Sequence, residues 1–111
     1  MTEKEVCQMA KSAGFPTAYH HFEEGQEPEK PYLVYLYPGT DNFSADGIVY
    51  QAVNKLDIEL YTEKKDIEAE KKVEAVLEEH GFFYEKTESY LESEKMYEVL
   101  FEMEVLISGK E

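Results

Sequence analysis

Near the end of the chain one residue in two is apolar without a break. Tyr97, Val99, Phe101, Met103, Val105 and Ile107 alternate with Glu98, Leu100, Glu102, Glu104 and Leu106. Successive side chains of a strand point to opposite faces, so this pattern demands a sheet with one covered side and is incompatible with a helix. It predicts a strand of about twelve residues, roughly 40 Å long, against the usual five or six. Part of so long a strand is expected to project beyond its own domain.

A second alternation runs through residues 48–60. The even positions read Ile, Tyr, Ala, Asn, Leu, Ile, Leu, and the odd positions close with Lys55, Asp57, Glu59 and then Tyr61. This predicts a half-buried strand with its core face on the even side. Its expected antiparallel partner is "YLVYLYP", residues 32–38, reached across the turn-rich loop 39–47. In that partner Tyr32, Val34 and Leu36 oppose Leu33, Tyr35 and Tyr37, and both faces are apolar enough to be covered. Residues 82–91 read as another strand, ending in the turn-like "ESEK". "TAYHHF" suits a short strand, and residues 23–31, polar with Gly and two prolines, read as a loop.

Two stretches have helical period instead. Residues 2–13 place Val6, Met9, Ala10 and Ala13 on one side, with Thr2 and Glu5 spaced as a capping box and Gly14 and Pro16 ending the run. Asp66 suits the N-cap of a second helix. Ile67, Val73, Val76, Leu77 and His80 form its expected apolar stripe, Lys71, Lys72, Glu74, Glu78 and Glu79 its wet side, and Gly81 its stop. The fold class that follows is α+β, one domain over residues 1–111. It is expected to be a four-stranded, mainly antiparallel sheet with two helices on one face, in the order α-β-β-α-β-β. The other face is expected to show Tyr35, Tyr37, Glu59, Tyr61, Leu100 and Glu102 to another protein.

Charge narrows the functions. Among 111 residues there are 25 acids and 11 bases, a net charge of −14, and every base is Lys. Nucleic-acid backbones are bound by clustered Lys and Arg, so a polyanion-binding surface is not expected, and bidentate phosphate recognition by Arg is excluded. The lone cysteine, Cys7, excludes an intrachain disulfide and suggests a reducing compartment. The start "MTEKEVCQMAKSAG" is too charged for a signal peptide, and no stretch approaches the ~20 apolar residues of a membrane span.

Candidate chemistry is thin. Asn42, Ser44, Asp46 and Gly47 match the first half of a calcium loop, but its twelfth position is Val53 where a bidentate Glu is required. An ordinary Asp-Gly turn is the better reading. His20 and His21, adjacent on an expected strand, should point to opposite faces and so not share an ion. Cys7 has no basic neighbour at helical spacing except Lys11, so a packed side chain is expected rather than a reactive thiolate. No glycine loop for phosphate and no nucleophile elbow is present. No catalytic, metal or cofactor residues are therefore assigned. The nine tyrosines point instead to contacts with protein, because each ring offers apolar area and a polar tip.

"PYLVYLYPGTDNFSADGIVY", "LDIELYTEKKDIEAEKKVEAVLEEHGFFYEK" and "YLESEKMYEVLFEMEV" together resemble the tail terminator, or tail completion, proteins of long-tailed phages, as encoded by prophages of Gram-positive bacteria. The resemblance spans residues 31–105. It rests on Ala45-Asp46-Gly47 with Tyr50, Leu60-Tyr61-Thr62, Lys65-Asp66 and Tyr84-Glu85-Lys86. It implies a structural virion protein, not an enzyme. Such a protein forms a homo-oligomeric ring, commonly a hexamer, that caps the tail tube and meets the head connector. The implied partners are the tail tube and head-connector proteins, without membrane or sequence-specific nucleic-acid binding. The implied location is the virion, and the host cytoplasm during assembly. Subunit or lumen contacts would come from the tyrosine-bearing strand face, the last strand and the loop 39–47, giving Tyr35, Tyr37, Asp41, Phe43, Asp46, Tyr61, Leu100 and Glu102 as interface candidates. A different reading of the same acids is a DNA mimic or adaptor module that inhibits a DNA-binding protein.

Overall fold

A computed structural model describes the backbone of residues 1–41, 43–45, 48–51 and 53–107, and the side chains of residues 1–41 and 53–107. Helix α1 (Glu3–Lys11) is followed by strands β1 (Thr17–Tyr19), β2 (Tyr32–Leu36), β3 (Phe43–Ala45), β4 (Ile48–Gln51) and β5 (Val53–Thr62). Helix α2 (Ile67–Glu79) and strands β6 (Glu85–Leu91) and β7 (Met96–Leu106) complete the order.

The structure corrects both the four-stranded expectation and the order α-β-β-α-β-β, since five strands rather than two lie between α1 and α2. The main sheet has five strands in the order β1-β2-β5-β7-β6, and it is mixed, because β1 runs parallel to β2 while the other pairs are antiparallel. A parallel pair needs a crossover of a dozen or so residues. The polar segment 20–31, with Gly25 and Pro28, supplies one. The stretch 48–60 also divides: β4 pairs with β3 as a separate two-stranded hairpin, and only β5 joins the main sheet.

Register follows the apolar alternation. Leu56, Ile58 and Leu60 of β5 stand opposite Met103, Phe101 and Val99 of β7, and Leu33 and Tyr35 of β2 stand opposite Leu60 and Ile58. A one-residue slip would turn every one of these side chains to the other face. Both helices cover this side. Val6, Met9 and Ala10 of α1 join Ala69, Val73 and Leu77 of α2 in one core with the strands. Phe101 is fully buried at its centre, and truncating such a ring costs about 3–5 kcal/mol.

The caps match the sequence. Thr2 accepts from the Glu5 N–H and the Glu5 carboxylate from the Thr2 N–H, at 3.1 and 2.8 Å. Asp66 accepts from the Ala69 N–H at 3.0 Å. The stripe of α2 differs from expectation. Ile67 and His80 are exposed, and Ala69 and Glu70 take the buried side with Val73 and Leu77. At about 100° per residue Ile67 lies about 120° around the helix from Val73, outside the buried arc.

Glu70 is the one charged side chain buried among the described residues. Its two oxygens each lie 2.7 Å from an ammonium, Lys65 on the turn before α2 and Lys86 on β6. Lys86 also reaches Glu74 at 2.7 Å, and Lys65 reaches Glu88. Burial alone would raise the Glu70 carboxyl. The hydrogen bonds from Lys65 and Lys86 outweigh it and hold the group below its ordinary range. This network ties α2 to the outer strand. No helix of the described residues is long and apolar enough to cross a membrane.

Candidate functional site

The side of the sheet away from the helices carries Asp57, Glu59 and Tyr61 from β5 and Glu98, Leu100 and Glu102 from β7. Asp57 stands directly opposite Glu102, Glu59 opposite Leu100, and Tyr61 opposite Glu98. Like charges directly opposite across two strands are destabilising. Lys55, opposite Glu104, is the only cation the two strands contribute to this side. The Asp57 carboxyl is raised first by burial, then by Glu102.

Tyr61 sits inside this acidic group. Its ring stacks on Tyr32 with centroids 5.2 Å apart. Its hydroxyl lies 2.8 Å from Glu59 Oε1 and 2.7 Å from Glu98 Oε2. A phenol has one hydrogen. It donates to one carboxylate, and the second contact becomes a hydrogen bond only when the other carboxyl carries a proton and donates it to the phenol oxygen. Burial raises Glu59, and the charges of Glu98 and Asp57 add to it against the opposing bond from Tyr61. Tyr61 is itself pushed far above the ordinary phenol range by burial and by the two carboxylates. At the rim, a hydrogen bond with Asp41 raises Glu104.

Of the interface residues expected from sequence, Tyr61, Leu100 and Glu102 come together on this face, and Asp41 lies at its rim beside Glu104. Tyr35 and Tyr37 do not belong with them. Tyr35 is opposite Ile58 and therefore shares the helix-covered side of β5. Its ring meets Tyr19 edge-on at 5.2 Å, and Tyr19 lies 5.8 Å from Tyr37. The Tyr37 hydroxyl is buried without a partner and is pushed up to about 12, chiefly by burial. Phe43 and Ser44 are described only as backbone of β3, and Asn42, Asp46 and Gly47 of the calcium-like loop lie outside the described residues. Asp57 and Glu98 were not among the candidates. Their alternation was visible, but the pairing that sets them beside Glu102 and Tyr61 was not.

The histidine pair is also placed differently from expectation. β1 ends at Tyr19, and His20 adopts φ +69°. His21 N–H donates to the Tyr19 C=O at 2.8 Å across it. The side-chain alternation of a strand is thereby lost, and the two rings meet with Nδ1 atoms 3.1 Å apart. The rings, with Phe22, Tyr32, Tyr61 and Met96, line a cavity of about 240 Å³ between the crossover loop and the acidic face.

No protein-family model matches the chain, and no curated protein matches it.

Proposed function

We propose that this chain is a ring-forming structural subunit of a phage tail, a tail terminator that caps the tail tube and meets the head connector. The observation that carries the reading is the outer edge of β6. Lys55 N–H donates to Gly39 C=O and Asp41 N–H to Val53 C=O, so the odd residues of β5 address the β2 side. By alternation the even residues of β7 address β6, and Lys86, Glu88 and Tyr90 turn their N–H and C=O groups outward. β6 has β7 as its one strand partner among the described residues, and the last four residues of β7, 103–106, run on past the start of β6. A seven-residue edge of this kind is a template for another strand. The acidic face supplies a second, different surface, and a ring needs two different surfaces on each subunit. In six copies with a charge of −14 each, an acidic lumen would release passing DNA rather than grip it.

The test is assembly. The purified protein, alone and with tail tubes, is expected to form rings visible by electron microscopy and to permit the joining of tubes to heads. Glu88→Pro removes one outward N–H from the edge while leaving the ladder to β7 intact. It is expected to stay folded and to lose ring formation. A variant that still assembles and joins as the parent does would end the β6-edge reading, and DNA retention at moderate salt would end the lumen reading.

The shared face of Asp57, Glu59, Glu98 and Glu102 also favours a second reading, a DNA mimic that occupies the basic site of a DNA-binding protein. Competition with duplex DNA for such a protein, lost when these acids are neutralised, separates the two.

A further inference from the structure

We propose that His20 and His21 form a two-imidazole site for a divalent transition-metal ion of the Zn²⁺, Ni²⁺ and Cu²⁺ type. Their Nδ1 atoms are 3.1 Å apart. Two imidazole nitrogens on one ion, each at about 2.0–2.1 Å and separated by an angle of about 90–110°, lie about 2.9–3.4 Å from one another. The pair already has the spacing of adjacent ligands.

The backbone produces that spacing. The bond from His21 N–H to Tyr19 C=O at 2.8 Å, with φ +69° at His20, makes a three-residue turn with positive central φ. This is the rare and strained form of such turns. His20 N–H donates to Tyr35 C=O at 2.7 Å, so the turn is anchored to β2 and cannot relax without breaking that bond. Adjacent residues, which a strand would send to opposite faces, are held here on one side.

The second nitrogen of His21 faces a carboxylate. Its Nε2 lies 3.6 Å from Glu23, beyond hydrogen-bond distance. The negative charge there favours a proton on Nε2, which leaves the Nδ1 lone pair open. In the metal-free protein His20 Nδ1–H then donates to His21 Nδ1. On binding, the His20 proton moves to its Nε2, both Nδ1 lone pairs face the ion, and no net proton is gained or lost. Glu27 and Glu94 line the same cavity as the rings, and the chain carries −14, so the local field favours a cation. Among the described residues no group of three or more His, Cys, Asp or Glu side chains is placed to hold a metal. Water therefore completes the coordination, and affinity follows the imidazole preference for Cu²⁺ over Ni²⁺ and Zn²⁺. Binding would lock the two rings to one another at the start of the crossover loop.

The test is titration of the full chain with Zn²⁺ alone, followed by calorimetry and by imidazole nitrogen NMR. Saturable one-to-one binding is expected, with His20 changing from the Nδ1–H to the Nε2–H tautomer and His80 unmoved. His20→Asn, which tolerates positive φ, and His21→Gln should each weaken binding about tenfold or more, by analogy with lost metal-site partners. His80→Gln should not. The absence of saturation, binding unaltered by both substitutions, or binding abolished by Cys7→Ser instead would each overturn the site. The tautomer readout uses the unaltered chain and does not depend on any variant folding.

Discussion

On the helix side of the sheet Glu70 lies buried between Lys65 and Lys86, whereas on the open side Asp57 and Glu102 face one another with Lys55 as their cation. The same chemical group therefore moves in opposite directions. Glu70 is held below its ordinary range, and Asp57 and Glu59 are raised above theirs. Burial raises all three, and the sign is decided by whether ammonium donors are within reach. Internal charge is compensated where α2 docks on β6. On the open face it is left in excess, and a cation-bearing partner would relieve it.

The largest effect is expected from breaking the compensated side. Glu70→Ala leaves Lys65 and Lys86 without their shared partner and opens space under α2. Loss of one member of a buried pair costs about 3–5 kcal/mol, and the partial exposure of both lysines brings the expectation to about 2–3 kcal/mol. The urea midpoint measures it, and a change under about 0.5 kcal/mol, the scale of an exposed pair, would show that the network contributes as surface pairs do.

A smaller effect is expected at the centre of the uncompensated side. Tyr61→Phe keeps the ring on Tyr32 and removes the hydroxyl between Glu59 and Glu98. A loss of about 1 kcal/mol at neutral pH is expected. Carbon NMR titration should find Glu59 raised further, since Tyr61 supplies the main lowering contribution to it. An unmoved Glu59 would mean that the phenol hydrogen goes to Glu98 alone.

Asp57→Asn should act in the opposite sense and less strongly. Removing a like-charge pair across two strands is expected to stabilise the fold by about 0.5 kcal/mol at neutral pH. The gain should shrink as acid protonates Asp57 in the parent. A destabilised variant would show that Asp57 is held by its neighbours rather than repelled by Glu102.

The two regions also predict the shape of stability against pH. Asp57 and Glu59 have raised folded values, so the fold binds their protons more tightly than the unfolded chain does. Their contribution falls as pH rises from the ordinary 3.8 and 4.5 through the raised folded values. Glu70 has a lowered folded value, so its contribution is complete above the ordinary 4.5 and is lost as pH falls through the folded value. Stability is expected to be greatest in mildly acidic solution. Glu70→Gln should flatten the acid limb and Asp57→Asn the other, as followed by urea unfolding at a series of pH values.

Some of this was legible in the chain and some was not. Both helix starts were, because a capping box and an Asp N-cap act through residues three apart. So was the longest strand, since a period of two leaves no other element open to it. The short strand in "TAYHHF" was legible too, but its place as the fifth strand of the sheet was not. Thr17–Tyr19 carry too little alternation to choose a partner, and the parallel pairing exists because β2 offers them an edge. The side taken by Tyr35 and Tyr37 was not legible, because "YLVYLYP" is apolar on both faces and only the pairing of Tyr35 with Ile58 chooses between them. The burial of Glu70 was not legible, since neither lysine that encloses it lies on its own helix.

By itself the amino-acid order determined where helices begin, which residues alternate along each strand, the absence of arginine and the excess of acid. These are properties of neighbours within a few positions or of simple counts. The tertiary structure alone decided which acid faces which, that Tyr61 stands between two carboxylates, that β6 is an edge among the described residues, and that His20 and His21 meet. Each of those depends on strand register or on one backbone angle held by a distant carbonyl, and neither quantity is encoded in local spacing.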